Sequence, residues 1–387
     1  MNRKLSNKDK KDWKNFLSSK DKIYNKDLSL SQKNTNKELV KTIDLHGLSL
    51  ENANNVINDF INKCFHNNIN RIIVVTGKGL RSKNKIEQAL KVFDYRPNLL
   101  ASRLMKKETR TIGVLIPSLS DPFYASIIKS IENAAIHYGY SVLIECAHGQ
   151  AHLEDKAIDN FLAIKVDGIC YAPSGMKKIE GKLKQLQKEY PLIFIDAVFA
   201  GVRYSIKNNN TQSIEILTDY MISKGHKPAY FPMPNVNSSS DERYDAYIAL
   251  MKKNRLTAQL IPVEKSTTWS FEAWAHDETV KLIKSNSFNF ESVICANDRI
   301  AFGMISALYN YGCLDKSGPN YRDIAIAGHD NHPLSQFTCP PLTTAEQDVQ
   351  SMGLFAVQKI LSILGIKKFK LKNHIKLDAK LIIRDSA

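Results

Sequence analysis

Residues 111–124, TIGVLIPSLSDPFY, decide the fold. TIGVLIP is an unbroken apolar run of strand length, the pattern of a strand covered on both faces. SLS reads as a turn. Asp121 is suited to cap a helix, and Pro122 to occupy its first position. Phe123, Ile127, Ile128, Ile131, Ala134, Ala135 and Tyr138 then recur at helical spacing and make one apolar stripe. A buried strand feeding an amphipathic helix is the opening of a βαβ unit.

The alternation continues downstream. SVLIECA, VDGICYAP, PLIFIDAV, AYFPM, QLIPV, SVICAND and IAIAGHD read as strands, with helical patterns between them. Such a series predicts parallel sheets flanked by helices. About ten strands are too many for one ordinary open sheet. Two lobes with a cleft between them fit better. ANDRIAFGMISALYNYG reads as a helix whose Ile300, Met304 and Leu308 face the core, and LDAKLIIRDSA as a closing strand.

In α/β lobes, ligands bind outside the carboxyl ends of strands. The polar and aromatic residues at those ends are Phe123 and Tyr124, Asp196, Arg243, Trp269 and Phe271, Asn297 and Asp298, and His329 and Asp330. Carboxylates, an arginine and an amide supply hydrogen bonds, and aromatics cover an apolar ring face, a set suited to a polyhydroxylated ring. The expected ligand contacts are Phe123, Tyr124, Asp196, Arg243, Trp269, Asn297 and Asp330. Asp298 fits a helix cap as well as a contact, Phe123 a core anchor, and Trp269 a rim aromatic.

The chain has 387 residues, 43% hydrophobic and 24% charged, which excludes collagen-like, largely disordered and multi-spanning membrane classes. No apolar run approaches the roughly 20 residues needed to span a bilayer. The start, MNRKLSNKDKKDWKNF, carries no readable secretory signal, so the expected location is the cytoplasm. Charge is lopsided: residues 1–110 hold 24 Lys+Arg against 11 Asp+Glu, a net +13, and residues 111–387 hold 30 against 28. A basic arm on a near-neutral body points to a polyanion partner, above all nucleic acid; a solvated Lys/Asn-rich tail is the plainer reading of residues 1–40 alone. The cysteines, at 64, 146, 170, 295, 313 and 339, form no CxxC pair and no zinc-type spacing with histidine. No disulfide, metal site or cofactor is expected.

Residues 1–40 lack periodicity and read as a basic, disordered arm. KTIDLHG then reads as a strand, Ala53, Val56, Ile57, Phe60, Ile61 and Cys64 as the stripe of a helix, and RIIVVTGKG as a second strand ending in a glycine-rich turn. Asp44-Leu45-His46-Gly47 and Thr76-Gly77-Lys78-Gly79 stand at the two strand ends. This pair resembles the marks of the small MutS-related (Smr) domain, whose members bind or nick nucleic acids. By that resemblance Asp44, His46, Gly47, Gly77, Lys78 and Gly79 form the motif: His46 could move a proton, and the glycine amides with Lys78 could hold a phosphate. The plainer reading is two tight turns. The resemblance covers residues 41–84, part of a domain.

From residue 85 the chain resembles another family, the lactose-repressor (LacI) type of bacterial transcription regulator. The YRPN turn, the helix LLASRL, a basic link and TIGVLIP carry that resemblance in order. It implies a residual head helix and a hinge helix in 85–110, and a two-lobed periplasmic-binding-protein-like body in 111–387 that binds a small effector and dimerises. It also implies a minor-groove wedge at Leu104, with Asn98, Ala101 and Arg103 beside it; without a docked head, Leu99, Leu100 and Leu104 would instead form an apolar patch. FID, RxxxY, ANDRIAFG and GHDN match the family's ligand-contact positions at Asp196, Arg243, Asn297 and Asp330. RYDAY departs from it, with Ala246 where glycine is usual. CPPLTTAEQD matches a crossover between lobes and is given a structural role.

The family's two recognition helices have no counterpart, so base reading is in doubt. The expectation is a LacI-type, effector-responsive DNA-binding regulator and not an enzyme. Its partners are DNA, a sugar-like effector and a second copy of the chain, with no membrane. The alternative is an Smr-type nucleic-acid-binding or nicking protein with a sugar-sensing body.

Overall fold

The computed structural model describes residues 40–46, 48–67, 69, 71–75, 109–175, 179–314, 316 and 321–387. The chain forms two compact units, Met1–Leu99 and Leu100–Ala387. The expected arm at 1–40, the residual head and hinge helices, and Gly47, Gly77, Lys78, Gly79, Asn98, Ala101, Arg103 and Leu104 lie outside or almost wholly outside the described residues.

In the first unit β1 (Val40–Asp44) pairs in parallel with β2 (Arg71–Val75), joined by α1 (Leu50–His66). The Ser49 hydroxyl caps α1 by accepting from the Asn52 amide. Ala53, Ile57 and Cys64 are buried, whereas Val56 is exposed. The helical stripe is therefore narrower than its apolar residues suggest.

The second unit begins with β3 (Thr111–Ile116), every residue of which is buried. Ile112, Val114, Leu115 and Ile116 each contribute about 1.5–3 kcal/mol relative to exposure. α2 (Pro122–His137) follows, with the Asp121 carboxylate accepting from the Phe123 amide as its cap. Then come β4 (Ser141–Cys146), α3 (Ala151–Ile164), β5 (Gly168–Tyr171), α4 (Glu180–Glu189), β6 (Leu192–Ile195) and β7 (Ser205–Asn208). The chain crosses to a second lobe with α5 (Asn210–Ser223), β8 (Ala229–Phe231), α6 (Ser238–Lys253), α7 (Phe271–Lys284), β9 (Ser292–Cys295), α8 (Asp298–Asn310), β10 (Ala325–Asp330) and β11 (Thr343–Glu346). It returns with α9 (Val349–Ile363) and β12 (His374–Leu377), and crosses again to β13 (Lys380–Ile382).

The first lobe is a six-stranded sheet ordered β12-β7-β6-β5-β3-β4, and the second a five-stranded sheet ordered β13-β11-β10-β9-β8. All neighbours pair in parallel except β11 with β13. Two apolar clusters cover the two faces of the six-stranded sheet, one under α2 and α9, the other under α3 and α4. A third holds the five-stranded sheet among α5, α6, α7 and α8. The expected strand QLIPV is reduced to a single bridge between Leu260 and Tyr230.

α9, which returns the chain to the first lobe, lies close against α2 at Gly353. A β-carbon there would stand 2.4 Å from the Ser130 hydroxyl and 2.6 Å from the Ile131 amide nitrogen. Gly353→Ala is therefore expected to destabilise the protein by about 1–3 kcal/mol, the range for overpacking. Urea denaturation measures it; an unchanged midpoint would show that the helices separate freely.

Candidate functional site

The carboxyl ends of the two sheets face one another, and their loops bring polar side chains from distant sequence together. Tyr124, on the first turn of α2, is buried, and its hydroxyl donates to Asp196 Oδ2 at 2.9 Å. Asp196 follows β6 with a backbone φ of +64°, a left-handed conformation that aspartate tolerates better than most residues. From the other lobe Ser239 donates to Asp196 Oδ1 at 3.2 Å, and Asn237 to Oδ2 at 3.4 Å. Each partner comes from an element beginning beyond a strand end.

Arg243, on α6, is the buried cation of the second lobe. Its Nε donates to Asn210 Oδ1 at 3.0 Å and Nη1 to the Ala296 carbonyl at 2.7 Å, and Nη2 lies 3.6 Å from Asp330 Oδ1. Asp330 ends β10. Its Oδ1 also accepts from Gln347 Nε2 at 2.6 Å and stands 2.8 Å from His329 Nδ1. His329 Nε2 is 2.8 Å from the Ser213 hydroxyl. Burial, then Arg243, hold the His329 imidazole well below its usual value, so it is neutral and Nδ1–H donates to Asp330.

A second ionic group spans the lobes. Arg299 Nη1 donates to Asp121 Oδ2 at 3.0 Å, and Nε and Nη2 hold both oxygens of Glu272 at 2.6 Å. Its guanidinium lies 4.8 Å from the centre of the Phe271 ring. Phe123 is half-buried, its ring 5.1 Å from that of Tyr124, and Trp269 lies 6.1 Å from Tyr124 and packs on the cores of both lobes. A cavity of about 410 Å³ adjoins the cluster, lined by Ala197, Phe199, Asn237 and Trp269 among others.

Of the seven expected contacts, the structure buries Tyr124 with Asp196 and Arg243 with Asp330, two polar groups that act on each other through charge, flanked by Phe123 and Trp269. Asn297 is the cap of α8, its Oδ1 accepting from the Ile300 amide at 2.9 Å. Asp298 is neither cap nor cleft group. Its carboxylate is fully buried and accepts from the His332 amide and the Ser335 and Thr344 hydroxyls at 2.6–2.7 Å. Tyr247, of the RxxxY motif, stacks on Tyr230 at 5.0 Å and belongs to the core. Sequence reasoning missed Asn208, Asn210, Asn237, Ser239, Arg299 and Gln347. The Asn208–Asn210 run after a short polar strand, and the glutamine ending TTAEQ, were the available signals. In the first unit Asp44 Oδ1 and His46 Nδ1 are 2.6 Å apart and exposed, and the His46 amide and ring hold the Asp44 carboxyl below its usual value.

A family profile described as periplasmic binding proteins and the sugar-binding domain of the LacI family matches residues 109–377. The Smr domain profile matches residues 43–116, past residue 84, where the resemblance read from the sequence ends. The two matches share β3, which pairs with β4 and β5 in the six-stranded sheet. The ribose operon repressor of Escherichia coli (strain K12) is 28% identical over 279 residues, 72% of this chain and 82% of the relative. The transcriptional regulator RegA of Clostridium saccharobutylicum is 26% identical over 313 residues, covering 79% and 90%. Among solved structures, the Lac repressor bound to ONPG superposes with a TM-score of 0.69 at 22% identity, covering 80% of this chain and 92% of that one. A LacI-family regulator of Enterococcus faecium with bound ribose gives 0.58 at 22% identity, covering 71% and 98%.

Burial raises the Asp196 carboxyl to about 6, against the pull of Arg243 and the Tyr124 hydroxyl. A carboxyl raised on folding gives stability that is full below its unfolded value near 4 and is lost as pH climbs through about 6. The melting temperature of the wild type minus that of Asp196→Asn should therefore fall between pH 4.5 and 7. A difference that stays constant or grows would show that Asp196 ionises as easily folded as unfolded.

Proposed function

We propose, from the premise that the chain belongs to the family of periplasmic binding proteins and LacI sugar-binding domains, that it is an effector-responsive DNA-binding regulator of transcription. The two-lobed body is the sensor. The observation that carries this reading is the pair of buried polar groups, Tyr124 with Asp196 and Arg243 with Asp330, one from each lobe, set at the carboxyl ends of the two sheets. Among the described residues, Asn208 Oδ1 and Gln347 Oε1, buried beside the second of these groups, have no hydrogen-bond donor, and a ligand hydroxyl would supply one. The ligand is a sugar-like, polyhydroxylated molecule; a ribose operon repressor and a ribose-bound regulator among the similar proteins favour a pentose.

Phe123 and Trp269 cover the apolar face of the ring. Arg243 anchors hydroxyls from the second lobe, and Asp196 and Asp330 accept from them. Asn297 positions α8. A ligand that bridges the lobes shifts their relative population, which is how a body of this kind can bias a DNA-binding segment.

The first 110 residues supply the DNA contact through their net charge of +13. Arg103 beside the Leu104 wedge, with Asn98 and Ala101, carries whatever groove contact remains. The chain acts as a homodimer, the symmetry that paired hinge segments need, and in the cytoplasm. The Smr-like motif of Asp44, His46, Gly47, Gly77, Lys78 and Gly79 serves phosphate binding in this reading. The pairing of Asp44 with His46 is what favours the second reading, a nicking activity, which plasmid relaxation abolished by His46→Ala would support.

Calorimetric titration with ribose and related neutral pentoses tests the sensor. Arg243→Ala should weaken the best of them by about 1.5–3 kcal/mol, the range for a charged hydrogen bond. Unchanged affinity would remove Arg243 from the site. Duplex DNA titrations test the rest: affinity should fall roughly a thousandfold between 50 and 200 mM salt if about six phosphates are engaged. Strong enrichment of one palindromic site from a random library would overturn the expectation of weak base reading.

A further inference from the structure

The six-stranded lobe is electrically polarised along its strands. Its carboxyl ends carry the buried acids of the cleft. Its amino ends, where the chain enters the body at Arg110, carry the opposite sign. Residues 363–373 hold four lysines and no carboxylate, a net +4, whereas residues 111–387 as a whole are only +2. Outside this ribbon the body is net negative.

The ribbon leads from α9 into β12, which runs parallel to β7, so the ribbon and the start of β3 lie at the same end of the sheet. Lys367, Lys368, Lys370 and Lys372 are all exposed there. Exposed Lys165, Lys188 and Arg203 precede β5, β6 and β7 at that end, against Asp167 and Glu189. Asp167 is occupied: it accepts from the backbone amides of Thr109 and Arg110 at 2.9 and 2.8 Å. Among the described residues none of the four ribbon lysines has a carboxylate partner.

The ribbon is held in shape rather than loose. Lys359, buried beneath it, donates to the carbonyls of Leu371 and Lys372 and to Asn373 Oδ1. The Ser362 hydroxyl donates to the Lys367 carbonyl and accepts from the Phe369 amide. Phe369 packs on Tyr138 at 5.9 Å, with Lys367 lying over both rings. An ordered set of unpaired cations is a prepaid surface for regularly spaced anions, because little freedom is lost on contact. β12 and β3 are four strand spacings apart, about 19 Å, little more than half a turn of duplex.

We infer that this basic end of the six-stranded lobe, centred on Lys367, Lys368, Lys370 and Lys372, is a second docking surface for the phosphate backbone of duplex DNA. It reads no bases. It lets the body itself hold the flank of DNA engaged by the basic residues that precede it, adding affinity through effective concentration and not through sequence. Lysine suits the role, as a point charge on a flexible stem that tolerates any phosphate register. The inference rests on the DNA-binding reading above.

The test uses the full chain and a 40-base-pair duplex of random sequence, titrated by fluorescence anisotropy from 50 to 300 mM salt. Replacing the four lysines (Lys367→Gln, Lys368→Gln, Lys370→Gln and Lys372→Gln) should lower the slope of log affinity against log salt by about 2 to 4. Affinity at 100 mM salt should drop roughly tenfold, with pentose binding unchanged. Should the fourfold variant not fold, the pair Lys368→Gln and Lys370→Gln, whose side chains make no ion pair or ring contact among the described residues, should give about half the change in slope. Lys224→Gln, Lys252→Gln and Lys284→Gln, on the other lobe, should leave it alone. An unchanged slope in a variant of a chain that binds DNA would overturn the inference and leave the regulator reading standing. Unchanged DNA binding with lost binding of polyglutamate would overturn it in favour of an acidic protein partner. A wild-type chain that does not bind the duplex at all would overturn both.

Discussion

A guanidinium buried where two lobes meet has to be answered from every side, and Arg243 is. Its three nitrogens reach the amide of Asn210 at the first crossover, the Ala296 carbonyl beyond β9, and Asp330 at the end of β10. Removing any partner would leave charge in a low-dielectric place, which costs several kcal/mol. The cluster therefore fixes where these loops end. Asp330 is in turn held by Gln347 and by a neutral His329, whose other nitrogen rests on Ser213. A chain of hydrogen bonds thus runs from α6 through the floor of the second lobe to the crossover into α9.

The topology makes that concentration possible. Three crossings, between β7 and α5, β11 and α9, and β12 and β13, lie at the boundary between the lobes. Residues as far apart as Asp121 and Arg299 meet because parallel strands deliver their carboxyl ends to one side. Polar ties across the cleft join Arg299 with Asp121, Lys207 with Glu242, Ser239 and Asn237 with Asp196, and the Val198 amide with the Ser238 hydroxyl at 3.1 Å, beside the Trp269 ring that packs on both lobes. Hydrogen bonds of this kind can be exchanged for those of a ligand. The apolar clusters that hold each lobe cannot.

The long apolar strands were legible because burial on both faces leaves an unbroken hydrophobic run, as in β3, β6 and β9. β7 (SIKN), β11 (TTAE) and β12 (HIKL) were not. Lys207 and Lys376 break their runs, and β12 is an edge strand with one face in solvent. Those short polar strands carry all three crossings, so the Asn208–Asn210 run and Gln347 went unread with them. Asp196, Arg243 and Asp330 were legible as charged residues just past apolar strands. Asn297 and Asp298 stand in the same context, yet Asn297 caps α8 and Asp298 braces the turn at His332 and Ser335. Position after a strand marks a place near the cleft; it does not say which way a side chain turns.

The buried charges also limit what the cleft can accept. Asp121, Asp196 and Asp330 outnumber Arg243 and Arg299, and burial already raises all three carboxyls above their usual values. A dianionic group brought among them would add like charge where water cannot screen it. The cleft should therefore take a neutral polyhydroxylated ligand, and the direct measurement is calorimetric titration of the protein with ribose and, in parallel, with ribose 5-phosphate. Binding of the neutral sugar with at least a hundredfold preference over its phosphate ester is the predicted result. Equal or tighter binding of the phosphate would contradict the account.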